Sequence, residues 1–142
     1  MINNIKRGIG SVLGWTTTEK FLFTEAILYL FLAKIVLILF SFKFCLRLLK
    51  CKNCVARNDN PQNLQAIKTA INRANMLSFW KNVCLVQSFA ARWMLNRRKI
   101  SSKLSIGVAH DKNKKLIAHA WIKVGDFEIV NKGLNYKELY FI

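Results

Sequence analysis

The first strong pattern along the chain is a run of apolar residues, FLFTEAILYLFLAKIVLILFSFKFCLRLL, from Phe21 to Leu49. Within it Leu28, Phe31, Ile35, Ile38 and Phe42 recur at helical spacing. They predict one long helix or two short ones, apolar on most sides. A bilayer core needs about 20 consecutive apolar residues. Glu25, Lys34 and Lys43 cut this run into uncharged pieces, 26–33 and 35–42, each too short to span. Lys34 near the middle would cost roughly 2.5–3.5 kcal/mol on insertion. The expectation is packing against the rest of the protein or a partner, with a membrane-associated helix as the alternative.

VARNDNPQNLQ interrupts the apolar pattern and holds the chain's one proline, Pro61. It divides the chain into an N-terminal helical region at 1–56, a linker at 57–63 and a core at 64–142. Asn63 is placed to cap a helix from about Leu64, with Leu64, Ile67, Ile71 and Ala74 on one face. Asn82 is placed to cap the next, from Val83 to about Arg97, whose apolar face is Val86, Phe89, Ala90, Trp93 and Met94. Arg97 and Arg98 fall where cations suit a helix C-terminus. After Ser101 the period becomes two. KLSIGVAH puts Leu104, Ile106 and Val108 on one face, DKNKK is a turn, LIAHAWIKV is a second strand and DFEIVN a third, with Gly125 and Asp126 at the hairpin. The pattern as a whole predicts an α+β fold: apolar helices, then a cysteine-bearing helix on a small antiparallel sheet.

Composition narrows the partners. Of 142 residues, 53% are hydrophobic, and 23 Lys and Arg against 7 Asp and Glu give a net charge of +16. Such an excess favours an anionic partner. The basic residues are spread along the chain and no nucleic-acid signature is present, so no nucleic-acid partner is expected. No cleavable signal peptide stands at the start, which predicts a cytoplasmic address with reduced thiols. Cys51 and Cys54 form CKNC, but no second ligand pair completes a zinc site and no strand–helix context suits a redox pair. Two ordinary cysteines at the end of a helix are the expectation there, with no metal.

Cys84 stands in the first turn of its predicted helix, where unpaired N–H groups and a partial positive charge favour a thiolate and can serve an oxyanion. On the residues alone, a buried structural cysteine is the commoner outcome. A nucleophile needs a base. On the second strand Ile117, His119, Trp121 and Lys123 share one face and Ala118, Ala120, Ile122 and Val124 the other. A histidine within an apolar strand is either a hydrogen-bonded core residue or the base that Cys84 requires.

Cys84 at a helix start, then LNRRKISSKLSIGV, then AHAWIKV resembles the lasso-peptide leader peptidases, small cysteine proteases related to the transglutaminase and papain-like folds. The apolar N-terminal run resembles that family's helical region, so the likeness covers nearly the whole chain. The resemblance implies that Cys84 is the nucleophile and His119 the base, on a transglutaminase/papain-like core. It implies Asn131, in EIVNKG, as the third member that accepts from the imidazole, with Asp126 as the rival. A regular two-residue hairpin at Gly125 and Asp126 would turn Asn131 away from the face of His119; a bulge would return it. The chain departs from the family at Gln87, where a basic residue is usual, and in VGD, which replaces a D-G turn. Trp80 and Trp121 lie near the site in sequence, as cleft walls, oxyanion donors or core aromatics.

The reaction implied is removal of the leader from a ribosomally made precursor peptide. A separate asparagine-synthetase-like cyclase would close the freed core. The chain leaves no room for a winged-helix leader-recognition domain, which implies a separate small recognition protein, with the apolar helices as a candidate docking surface. Some relatives require ATP; no phosphate-binding loop is visible here, and no cofactor is expected. Two other readings use the same residues differently: a transglutaminase-like acyl-transfer enzyme, and a non-catalytic basic adaptor at a membrane surface with Cys84 buried.

Overall fold

Thr16 starts the first helix with a reciprocal cap. Its hydroxyl accepts from the Glu19 N–H at 3.3 Å, and the Glu19 carboxylate accepts from the Thr16 N–H at 2.9 Å. The computed structural model describes residues 14–51, 54, 55, 60–77, 84–133 and 135–142. Helix α1 runs over Thr17–Leu39 and α2 over Phe42–Leu48. Helix α1 buries Leu22, Ala26, Leu30, Ala33 and Val36, a stripe stepped by four and three residues as helix periodicity requires. It packs on two later helices, α3 (Pro61–Leu77) and α4 (Cys84–Arg97).

The inward face is not the one that apolar spacing picked out. Leu28, Phe31, Ile38 and Phe42 point outward, exposed by 63, 49, 70 and 45%. The run is apolar almost all round, so periodicity cannot choose a side. Packing chooses it: Ala26 and Ala33 let backbones approach, where Phe31 or Ile38 would hold them apart. Glu25 belongs to the inward face too. It is buried and paired with Arg98 at 2.6 Å and Arg97 at 3.2 Å, at the end of α4. Among the described residues α1 is the one helix long and apolar enough to cross a membrane.

Helix α3 begins three residues earlier than expected. Pro61 occupies its first position, where a missing N–H costs nothing. Asn60 provides the side-chain cap, its Oδ1 accepting from the Gln62 N–H at 3.0 Å, and Asn63 lies inside the helix. The expected face is the buried one: Leu64, Ile67, Ile71 and Ala74, joined by Ala70. In α4, Val86, Phe89, Ala90, Met94 and Leu95 are buried and Trp93 is half-buried. The proposed cap Asn82 and Trp80 lie outside the described residues. Each fully buried large apolar side chain contributes about 1.5–3 kcal/mol.

Cys51 and Cys54 are joined in a disulfide, contrary to the expectation of reduced thiols. Val55, just beyond it, bonds the α4–β1 connection: its N–H donates to Lys99 O at 3.2 Å and its carbonyl accepts from the Ser101 N–H at 3.1 Å. Buried Arg92 fastens the same corner, donating to Leu49 O at 3.2 Å and to Ser102.

Strands β1 (Lys103–His110), β2 (Leu116–Val124), β3 (Phe127–Val130) and β4 (Lys137–Phe141) form an antiparallel sheet in the order β3-β2-β1-β4. The first two match the period-two reading. The fourth was not foreseen; it is an exposed edge strand whose sequence, KELYF, does not alternate. Leu104, Ala120, Ile122 and Val124 are buried beneath the helices, and α3 and α4 lie between α1 and the sheet. A mixed helical and small antiparallel architecture, α+β, is the result.

Candidate active site

Cys84 is the first residue of α4 and is half-buried. Its Sγ accepts a hydrogen bond from the Ala120 N–H at 3.4 Å. Strand β3 ends at Val130, opposite Ile122, so it does not reach Ala120. The cysteine therefore meets β2 where its neighbour has stopped, one residue from His119. Two kinds of donor surround the sulfur: the strand N–H and the open first turn of α4. Both favour negative charge there.

His119 projects from the face of β2 that also carries Trp121. Directly across the strand pair stands Gly107. A Cβ on Gly107 would collide with the Lys137 carbonyl and lie 2.8 Å from the Trp121 ring. Glycine is required here by the closeness of β4 and the indole. The His119 ring stacks on Tyr136, centroids 4.8 Å apart, and more loosely on Trp121 at 6.2 Å. Trp121 is 2% exposed, so it serves as the buried floor on which His119 rests.

The β2–β3 hairpin turns through Gly125 and Asp126 and then slips by one residue: Lys123 pairs with Glu128, but Ile122 with Val130. The irregularity carries Asn131 round to His119, though not by its amide. The imidazole Nε2 lies 2.8 Å from the main-chain carbonyl of Asn131. The side-chain Oδ1 instead accepts from Lys68 Nζ at 2.8 Å, and the same ammonium donates to Glu128 O at 2.9 Å. The amide turns away because a cation from α3 holds it. Asp126 is exposed in the turn, beyond the end of β2 at Val124, which itself stands roughly 17 Å from His119 at about 3.3 Å per strand residue. The structure does not bring Asp126 to the site.

A carbonyl only accepts, so Nε2 carries a proton, and in the neutral ring the bare nitrogen is Nδ1. That is the tautomer a base for a thiol requires. The Cys84 and His119 side chains are not hydrogen-bonded to each other in this geometry. Catalytic contacts of this kind commonly tighten only with substrate in place.

Glu128 braces the segment that delivers the carbonyl. Its carboxylate accepts from Lys123 Nζ at 3.0 Å and from the Lys132 N–H at 3.3 Å. The Lys123 hydrogen bond first, then the Lys132 N–H, hold its carboxyl below the ordinary value. Lys68, Glu128 and Tyr136 were not singled out from the sequence. Lys68 on α3 and Glu128 on β3 carry no local signal of their partners, and Tyr136 follows a non-periodic stretch. Gly107 lies within the IGV segment, but nothing in the sequence singled it out.

A thiol at a helix N-terminus, beside a strand histidine whose far nitrogen is tied to a carbonyl, defines a class: cysteine-type enzymes that act on acyl groups. The transglutaminase-like superfamily matches over residues 29–140, and the chain belongs to it. The superfamily comprises enzymes of cysteine protease and acyl-transferase type. No curated protein and no solved structure matches the chain.

Proposed function

We propose that this protein is a cysteine peptidase that removes the leader from a ribosomally synthesised precursor during lasso-peptide maturation. The observation that carries the reading is the meeting of Cys84 Sγ with the N–H that follows His119, while the imidazole is tied through Nε2 to the Asn131 carbonyl. Support for the substrate comes from the likeness of the Cys-helix, IGV and HAW segments to the leader peptidases.

In this mechanism the Cys84 proton passes to His119 Nδ1 and the thiolate attacks the carbonyl at the leader–core junction. N–H groups of the first turn of α4 receive the oxyanion. The imidazolium returns the proton to the leaving amine, the C–N bond breaks, and the leader remains as a thioester on Cys84. Water, deprotonated by His119, adds to the thioester, and the leader leaves as a carboxylic acid while the thiol re-forms. No cofactor is needed for these steps. A separate winged-helix recognition protein would deliver the leader, and an asparagine-synthetase-like cyclase would consume the freed amine.

The test mixes the chain with the recognition protein and precursor from the same gene neighbourhood and reads leader loss by mass spectrometry. Cleavage by the wild type and none by Cys84→Ala or His119→Ala is expected. Cleavage that survives Cys84→Ala would return Cys84 to a structural role. A product in which an added amine, rather than water, takes the acyl group would favour the acyl-transfer reading.

A further inference from the structure

The outer face of α1 takes no part in the Cys84 site and is largely exposed, with the Arg97 guanidinium over the Phe21 ring at its start. Phe21, Leu28, Phe31, Ile38 and Leu39 stand on it with exposures of 49–70%, and Phe42 and Phe44 of α2 continue it at 45 and 40%. A helix on a water-facing surface carries polar residues there. A continuous apolar surface instead marks an interaction site.

The charges nearby say what kind. Residues 14–51 contain five cations, Lys20, Lys34, Lys43, Arg47 and Lys50, and two carboxylates, Glu19 and Glu25. Both carboxylates are engaged within the fold, Glu19 with Arg73 and Glu25 with Arg97 and Arg98. The segment thus offers exposed apolar side chains among cations, with its negative charge already neutralised. That combination fits a surface that is apolar within and anionic at its boundary, as an anionic lipid leaflet is.

Spanning is a different matter. Leu22, Ala26, Leu30, Ala33 and Val36 are core residues of the same helix, and Glu25 is paired with α4. To span, α1 would have to leave all of them. Lying on the surface disturbs none.

We propose that α1 and α2 dock the protein peripherally on an anionic membrane, with α1 parallel to the bilayer plane and its outer face in the headgroup–acyl boundary. Because α3 and α4 lie between α1 and the sheet, the sheet side remains toward water.

The full chain is sedimented with phosphatidylcholine vesicles with and without phosphatidylglycerol. Binding at least roughly tenfold stronger to the phosphatidylglycerol vesicles, weakened by raised salt, is expected. Lys43→Gln should weaken it about fivefold. Phe31→Glu should weaken it by more than about tenfold by placing a charge in the buried face. Both positions are exposed, and a circular-dichroism melt checks that the fold is kept. Cys84→Ala should bind as the wild type does, so failure here and failure of the peptidase reading are separate results. No binding to either vesicle, or equal binding to both, overturns the proposal. Retention in the pellet after an alkaline carbonate wash overturns it in favour of spanning. Binding to a purified recognition protein that Phe31→Glu abolishes, with vesicles ignored, overturns it in favour of a protein interface.

Discussion

Replacing Asn131 with alanine separates two ways in which that residue can hold His119. Its carbonyl, 2.8 Å from Nε2, is main chain and survives the change. Its amide accepts from Lys68 at 2.8 Å and is what the change removes. Lys68 keeps its second bond, to Glu128 O at 2.9 Å, so the segment is not released. One hydrogen bond to a cation is lost at an exposed position, worth about 0.5–1.5 kcal/mol. If all of it fell on the transition state, kcat/KM would drop roughly two- to twelvefold. Loss of the base itself costs about 10²–10⁴.

A substrate-free assay can read the difference. Cys45 is buried, its Sγ–H donates to Val36 O at 3.5 Å, and burial pushes its thiol above the ordinary value. Cys51 and Cys54 are paired. Iodoacetamide should therefore report on Cys84, with mass spectrometry confirming the site. Across a pH series, Asn131→Ala should alkylate within about tenfold of the wild type and keep its profile. His119→Ala should be slower at neutral pH and change the profile. An Asn131→Ala protein as impaired as His119→Ala would refute the carbonyl argument and give the role to the amide.

Three further outcomes follow from the same geometry. Gly107→Ala should lower stability by about 1–3 kcal/mol, because its Cβ has no space between Lys137 and Trp121; an unchanged urea midpoint would contradict this. Glu25→Gln should cost about 1–3 kcal/mol, since two arginines lose the buried negative charge they share and one of its two acceptor oxygens; urea unfolding reads it, and stability equal to wild type would mean the pair is idle. The Glu128 carboxyl titrates below its ordinary value, so its stabilising contribution is complete above that value and is lost as pH falls through the lower folded one. Urea midpoints measured from neutral pH down through the carboxylate range should fall less steeply for Glu128→Gln than for wild type, and parallel curves would remove Glu128 from the account.

The parts of this fold that were legible are those where one residue pattern permits one structure. KLSIGVAH and LIAHAWIKV, rich in β-branched and other apolar residues between turn signals, become β1 and β2 with the expected bounds. The α4 segment places its apolar face as its spacing demands. Where the pattern was degenerate, the reading failed in a physically specific way. Phe31 and Ala33 are both apolar and helical, and only the closeness of α3 and α4 decides that the alanine turns inward. Thr16 and Glu19 did contain a capping signal, T-x-x-E, ahead of the apolar run.

The site divides along the same line. Candidates for a nucleophile and a base are recognised by residue type, so Cys84 and His119 could be put forward from the chain. A carbonyl is common to every residue, and no sequence announces which one will face an imidazole. Asn131 drew attention for its amide, which can accept a hydrogen bond, yet the group at the ring is one that any residue could provide. What makes position 131 special is the register slip after Glu128 and the grip of Lys68, which together aim a main-chain oxygen. The same logic explains Glu25: as a charge in an apolar run it argued only against spanning, and its partners, Arg97 and Arg98, lie more than seventy residues away. Long-range polar pairs of this kind carry no local signal, and they fix both the helix that buries Glu25 and the carbonyl that holds His119.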